Sequence, residues 1–337
     1  MGVNISDIDF VMPWVDGSDP AWREEKARCE GGKFSDDREE RYRDWDNLKY
    51  WFRGVEKFAP WVRKVHFITW GHLPSWLKRE HPRLHIVRHE EYMPSECLPT
   101  FNSSALEINI HRISGLSEHF VYFNDDMFLI RDVEPTDFFR DGKPCDMLAL
   151  QPVVANPASP AMSYLYLNNA MVLARHFDKR KNMKKQPGKY WKIGYPLLYF
   201  GYNLLETVFP LFTGFYTVHG PSPFCRETFR KVWELEGEVL HETSRHHFRS
   251  KEDVSQYLFR EWQKLSGEFA AKNITRDFQY FDVDSHNEKL LRVITGQKKK
   301  SICINDANIP IDFEGAKREI CGAFEQILPE KCSFERE

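Results

Sequence analysis

"FVYFNDDMFLI", residues 120–130, is an apolar and aromatic run broken by two adjacent carboxylates, Asp125 and Asp126. A carboxylate taken out of water is costly unless something pairs it. The run therefore reads as a buried strand that delivers two acids to a place where their charge is offset. A turn that closes the strand at Asn124 explains the acids equally well on local grounds. The choice rests on the pattern around them.

Upstream, "IDFVMPWV" (8–15) is another apolar run, closed by the turn-forming "DGSDP" (16–20). "KVHFITWG" (64–71) and "LHIVRHEEYM" (84–93) read as two further strands. Between these runs, a charged stretch from Ala21 to about Lys57 reads as helix, with Leu48, Trp51, Phe52, Val55 and Phe58 at helical spacing. "NSSALEINIHRI" (102–113) reads as a helix opened by an Asn or Ser cap. Strands alternating with helices predict an α/β fold with a mainly parallel, Rossmann-like sheet. Ligands of such sheets sit beyond the carboxyl ends of the strands, and both "DGSDP" and "NDD" fall at that edge.

The alternation weakens after about residue 145. A helix is expected near 163–176, and "ETFRKVWELEGEVLHETSRHHFRSKEDVSQYLFREWQKL" (227–265) is mostly helical by pattern. "LLRVITGQKKKSICINDA" (290–307) reads as two short strands around a basic turn, and "FEGAKREICGAFEQIL" (313–328) as a closing helix. The basic run "KRKNMKKQPGKYWK" (179–192) feeds an aromatic stretch, marking 179–215 as an insertion that faces solvent, an acceptor or an anionic membrane. With no clear linker, residues 1–337 are expected to form one domain.

Composition narrows the function. Hydrophobic residues at 42% and charged residues at 29% describe a globular chain. A net charge of −3 gives no sign of nucleic-acid binding. The seven cysteines form no CxxC pair, which fits a reducing compartment. With no signal-peptide pattern at the start and no long apolar run, the expectation is a soluble, cytoplasmic protein.

Several residues are candidates for chemistry. Asp16, Gly17 and Asp19 occupy one tight turn, suited to a cation or to sugar and nucleotide hydroxyls, or simply to an Asx-turn and a helix cap. Asp125 and Asp126 suit a hard cation that also binds phosphate oxygens. His219, whose backbone is fixed by Gly220, Pro221 and Pro223, suits a positioned general base or a structural histidine. Arg249 suits a phosphate clamp or a surface ion pair. Asp306 closes an apolar strand much as Asp126 does.

Taken together, "IDFVMPWVDGSDPAW", "EKFAPWVRKVHFITWGHLPSWL", "LPTFNSSALEINIHRISGLSEHFVYFNDDMFL", "FTGFYTVHGPSPF" with "HHFRSKED", and "KSICINDA" resemble the ordered motifs of the Stealth family. That family comprises bacterial capsular-polysaccharide hexose-1-phosphate transferases and the catalytic subunit of the animal lysosomal GlcNAc-1-phosphotransferase. The resemblance spans residues 7 to 330 and implies a GT-A-like nucleotide-sugar-binding fold. It implies transfer of hexose 1-phosphate from a UDP-sugar such as UDP-GlcNAc to an oligosaccharide or polysaccharide hydroxyl, with release of UMP. Mg²⁺ or Mn²⁺ is the implied cofactor, and the inner face of a bacterial inner membrane the implied place of work. By the same resemblance, Asp125 and Asp126 hold metal, and Asp16, Gly17, Asp19, Thr100, Asn102, Ser103 and Asn124 meet the substrate. His219 deprotonates the acceptor, Arg249 stabilises phosphate, and Asp306 orients His219 or binds metal. The family often carries an acidic or amide residue after that aspartate, where this chain has Ala307. Two other readings stay open: a metal-dependent glycosyltransferase releasing UDP, and a sugar- or nucleotide-binding protein without catalysis.

Overall fold

The computed structural model describes residues 7–30, 43–157, 159–306 and 311–336. The chain enters through strand β1 (Ile8–Pro13) and helix α1 (Pro20–Glu30), followed by α2 (Leu48–Phe58), β2 (Val65–Thr69), β3 (Leu84–Arg88) and α3 (Ser103–Ile108). The 120–130 run then divides into β4 (His119–Tyr122) and β5 (Met127–Leu129), after which come α4 (Pro135–Phe138), β6 (Phe139–Arg140) and β7 (Lys143–Asp146). Next are four helices, α5 (Pro160–His176), α6 (Lys179–Lys185), α7 (Pro187–Tyr190) and α8 (Leu197–Glu206), before β8 (Ser222–Cys225), α9 (Arg226–Arg245) and α10 (Tyr257–Ser266). The remainder holds β9 (Ala270–Ala271), β10 (Phe278–Asp282), α11 (Glu288–Thr295), β11 (Ser301–Asn305) and α12 (Phe313–Ile327).

The main sheet has the order β3-β2-β1-β4-β8. Its first four strands run parallel, and only β8 is antiparallel, against β4. This is the mainly parallel α/β sheet expected from the sequence. Both faces are covered, so its strands read as near-continuous apolar runs. Alternate residues of β1 serve opposite cores: Phe10 and Met12 pack with Trp51, Phe52 and Val55 of α2, whereas Val11 joins Phe120, Tyr122 and the α9–α10 side.

Four element expectations need correction. The stretch from Ala21 to Lys57 is not one helix: α1 ends at Glu30, and residues 43–47 are non-helical, with Asp46 at φ 52°. The 84–93 strand stops at Arg88 and gives way to a 3₁₀ turn, His89–Glu91. The stretch from Leu290 before the basic turn, expected as a strand, lies in α11 because Leu290, Val293 and Ile294 bury one helical face. Most important, β4 and β5 lie in different sheets. β5 pairs antiparallel with β11, in a three-stranded sheet of order β10-β11-β5. The acidic pair therefore sits in the turn where the chain leaves one sheet for another.

Candidate functional site

The strand order reverses between β1 and β4, and the crevice beyond such a reversal is where open α/β sheets bind ligands. "DGSDP" leaves β1 there, and "NDD" leaves β4 beside it, the amide of Phe123 donating to the Val11 carbonyl at 2.9 Å. Two other elements are drawn to the same place by antiparallel pairing. Tyr122 lies opposite Ser222, which puts the beginning of β8, and His219 just before it, next to the end of β4. Met127 lies opposite Cys303, and the Ile304 amide donates to the Asp126 carbonyl at 2.8 Å.

His219 is the hub. Its Nε2 lies 3.1 Å from Asp126 Oδ2 and 3.4 Å from the Asn124 amide, and its Nδ1 shares a 2.7 Å hydrogen bond with the Tyr257 hydroxyl. Burial works against a charge on this imidazole, but the Asp126 carboxylate prevails and raises its proton affinity. The same Asp126 oxygen accepts from the Cys303 thiol at 3.2 Å, and burial with that carboxylate pushes the thiol up, so it stays protonated. The other Asp126 oxygen, Oδ1, is buried without a hydrogen-bond partner among the described residues. Asp125 presents itself to solvent yet is densely surrounded by protein. That surrounding, with the adjacent Asp126 charge, pushes its carboxyl up to about 7. Gly220 lets the histidine loop approach β10: a Cβ there would lie 2.7 Å from the Phe278 ring.

The other expected residues divide. Arg249 is exposed and donates to Ser103 Oγ at 2.9 Å, so these two stand together. Thr100 and Asn102 are buried, and their bonds are structural. Asn102 caps α3 through Ser104 N and donates to Asp253 at 2.8 Å, fastening the loop that carries Arg249. Asn102 is thus turned to protein, whereas Thr100 also lines the cleft beyond β2 and β3. Asp16 accepts from Ser18 and, through its amide, donates to His72 Nε2 at 2.7 Å. Asp19 caps α1 through Trp22 N at 2.9 Å, and Gly17 is buried with its carbonyl accepting from Arg23. The Asx-turn and cap are thus both present, at the carboxyl edge of the sheet. Asp306 does not orient His219. Arg43 grips it in a bidentate pair with Trp45 Nε1 adding a third bond, and Tyr257 occupies the Nδ1 position. Ala307 lies outside the described residues.

Sequence reasoning missed Tyr257, Cys303 and Glu107. Glu107 accepts from the Tyr122 hydroxyl at 3.1 Å, and burial raises its carboxyl against the pull of Arg249. Its signal was available, since it stands four residues after Ser103 and so on the same face of the 102–113 helix. Tyr257 carried none. Beyond the ends of β2 and β3 opens a cleft of about 500 Å³, lined by Glu25, Trp70, Gly71, Arg88, His89 and Pro99 among others.

Comparison with known proteins follows this geometry. Residues 6–33 match the family profile Stealth protein CR1, conserved region 1, and residues 41–146 match Stealth protein CR2, conserved region 2. The capsular polysaccharide phosphotransferase WcwK of Streptococcus pneumoniae is 36% identical over 334 residues, covering 98% of this chain and 100% of that protein. This chain belongs to the Stealth family. Two further relatives of similar extent are the receptor polysaccharide phosphotransferase WefC of Streptococcus gordonii, 38% identical over 98% of this chain and 99% of its own, and the exopolysaccharide phosphotransferase cps2G of Lactiplantibacillus plantarum, 37% identical over 98% and 96%. As a Stealth protein with such relatives, it is an enzyme. Among solved structures, the galactosyltransferase LgtC in complex with donor and acceptor sugar analogues aligns over 94% of this chain and 95% of its own, at 12% identity and a TM-score of 0.41. So distant a likeness adds nothing to the site.

Proposed function

We propose that this Stealth enzyme transfers a hexose 1-phosphate from a UDP-sugar, with UDP-GlcNAc as the first donor to test, to a sugar hydroxyl of an oligosaccharide or polysaccharide. UMP leaves, and a phosphodiester remains in a bacterial surface polysaccharide. The observation that carries this reading is His219 held between Tyr257 and Asp126 at the carboxyl edge of the sheet. The relatives named as polysaccharide phosphotransferases support the reaction class.

The acceptor oxygen forms a bond to the phosphorus nearer the sugar. The bond from that phosphorus to the bridging oxygen breaks, and UMP departs with the electron pair. With Nδ1 engaged by Tyr257, Nε2 of His219 takes the acceptor proton, and Asp126 stabilises the imidazolium. Arg249, beside Ser103, supplies positive charge to the phosphate oxygens. The cleft at Trp70 and Arg88 takes the nucleotide, and the cytoplasm, where nucleotide sugars are found, is the place of reaction.

A divalent cation, Mg²⁺ or Mn²⁺, suits the residues present. Asp126 Oδ1 is a buried oxygen without a partner among the described residues, and Asp125 is crowded by its neighbour's charge. Asp125 and Asp126 would hold the ion, with His219 and Cys303 close to Asp126. When bound, it neutralises diphosphate charge.

The test incubates the purified protein with UDP-GlcNAc and Mn²⁺, with and without a capsule-type oligosaccharide, and identifies the released nucleotide. UMP that disappears with EDTA, and falls by about 100-fold or more in His219→Ala, is the expected result. UDP as product would mean attack at the anomeric carbon and would overturn phosphotransfer.

A further inference from the structure

Helix α8 is built inside out. Its buried residues are Asn203 and Glu206, and its exposed ones are leucines and a phenylalanine. Asn203 accepts from the Leu150 amide and donates to the carbonyls of Leu148 and Tyr190. Glu206 pairs with the equally buried Lys179 and accepts from Thr213 Oγ1. These bonds fix the helix with its polar face inward. Outward stand Leu197 (87% exposed), Leu204 (61%) and Leu205 (57%), continued by Ile193 (97%), Val208 (71%) and Leu211 (72%). A soluble amphipathic helix turns its apolar stripe toward the core. Here the stripe faces away from it, and so large an exposed apolar patch marks an interaction surface.

The charge around the patch says what covers it. From Lys179 to Lys192 the chain carries seven lysines or arginines and no acid, and from 193 to 215 its only charged residue is the buried Glu206. Arg180, Lys181, Lys184, Lys185 and Lys192 are exposed. A second copy docked on this patch through a two-fold axis would set like charges against one another. An anionic bilayer pairs them while taking the leucines into its acyl boundary. No helix among the described residues is long and apolar enough to cross a membrane, so the contact is with one face.

We infer that α8 and its flanks, residues 193–211, dock on an anionic lipid bilayer as an interfacial anchor. The anchor lies close to the chemistry along the chain, because residues 213–218 lead from it directly to His219. Tyr216 N bonds to the Ala149 carbonyl on the way. A saccharide acceptor carried on a lipid would thereby reach His219 from the membrane side, a consequence that rests on the proposed transfer reaction. The docking itself does not.

The test sediments the full-length protein with vesicles of phosphatidylcholine containing about one-third phosphatidylglycerol, and with phosphatidylcholine alone. Expected is binding to the anionic vesicles, weakened several-fold by raised salt, and a drop of at least about tenfold in partitioning for Leu197→Asp/Leu205→Asp. Both leucines are exposed, so the variant keeps its fold, which circular dichroism checks. Wild-type protein left in the supernatant with both vesicles would overturn the inference. So would undiminished binding by the variant, or a lipid-free dimer that the variant abolishes, since the patch would then belong to a second copy. Failure of UMP release leaves this readout unaffected.

Discussion

Arg260 offers the strongest test of how the site is held. It is 2% exposed, and its guanidinium hydrogen bonds run to the histidine loop and its support. Its guanidinium donates to Asp146 at 2.7 and 3.2 Å, to the Val218 carbonyl at 2.6 Å and to Ser222 Oγ at 3.1 Å. Val218 immediately precedes His219. Arg260→Met keeps most of the volume and removes all four bonds. It leaves Asp146, 3% exposed, with no bidentate partner. Breaking a buried pair from one side costs about 3–5 kcal/mol, a large part of a typical stability of about 5–15 kcal/mol. The expected loss is about 4 kcal/mol at pH 7.5, read by urea unfolding with tryptophan fluorescence.

The pH dependence identifies the cause. In the wild type, burial works against the Asp146 charge, but Arg260 and Lys264 override it and hold the carboxyl below its usual range. An acid whose folded pKa is depressed contributes stability above its unfolded pKa of about 3.9, and loses it as pH falls through the folded value. Between pH 7.5 and 5 the wild-type pair therefore contributes a constant amount. In Arg260→Met, burial raises the Asp146 carboxyl instead, so the folded state takes up a proton in that interval and gains stability as pH falls. The gap between the two proteins should narrow by about 1–2 kcal/mol from pH 7.5 to pH 5. A gap below about 1 kcal/mol at pH 7.5, or an equal gap at both pH values, would refute the reasoning.

Three further expectations follow from neighbouring contacts. Tyr257→Phe removes the hydroxyl at His219 Nδ1 and should lower kcat about tenfold with KM unchanged, a loss of about 1.4 kcal/mol in the transition state; steady-state kinetics on UMP release checks it. Gly220→Ala drives a methyl to 2.7 Å from the Phe278 ring and should cost about 1–3 kcal/mol in thermal or urea unfolding, with activity falling further as the histidine loop shifts. Lys179→Met leaves Glu206 buried without its cation. Since this pair ties α6 to α8, limited proteolysis should cut faster within 179–215 while the rest of the chain remains resistant.

The parallel sheet was legible because burial on both faces writes itself as apolar runs, and turn residues mark their carboxyl ends. "DGSDP" and "NDD" could thus be placed at the ligand edge before any contact was known. His219 stood out through the glycine and prolines after it, and Asn102 through its place before a helix. What was not legible depended on partners far away in the chain. The 120–130 run looks continuous because β4 and β5 are both buried; only pairing with β11 shows that they part company at the acids. Asp306 resembles Asp126 locally, yet Arg43 takes it, and Tyr257 reaches His219 from a helix whose pattern announces only a core face. The inside-out α8 is the clearest case. The sequence marked 179–215 as a segment facing outward but left its side chains unplaced; that Asn203 and Glu206 turn inward and the leucines outward is decided by Lys179, Leu148, Leu150 and Tyr190. Local sequence determined where strands begin, end and turn, because those depend on backbone preference and the period of burial. Tertiary structure decided which acids meet His219 and which face of α8 meets the outside, because a charge or an apolar face takes its role from what lies opposite it.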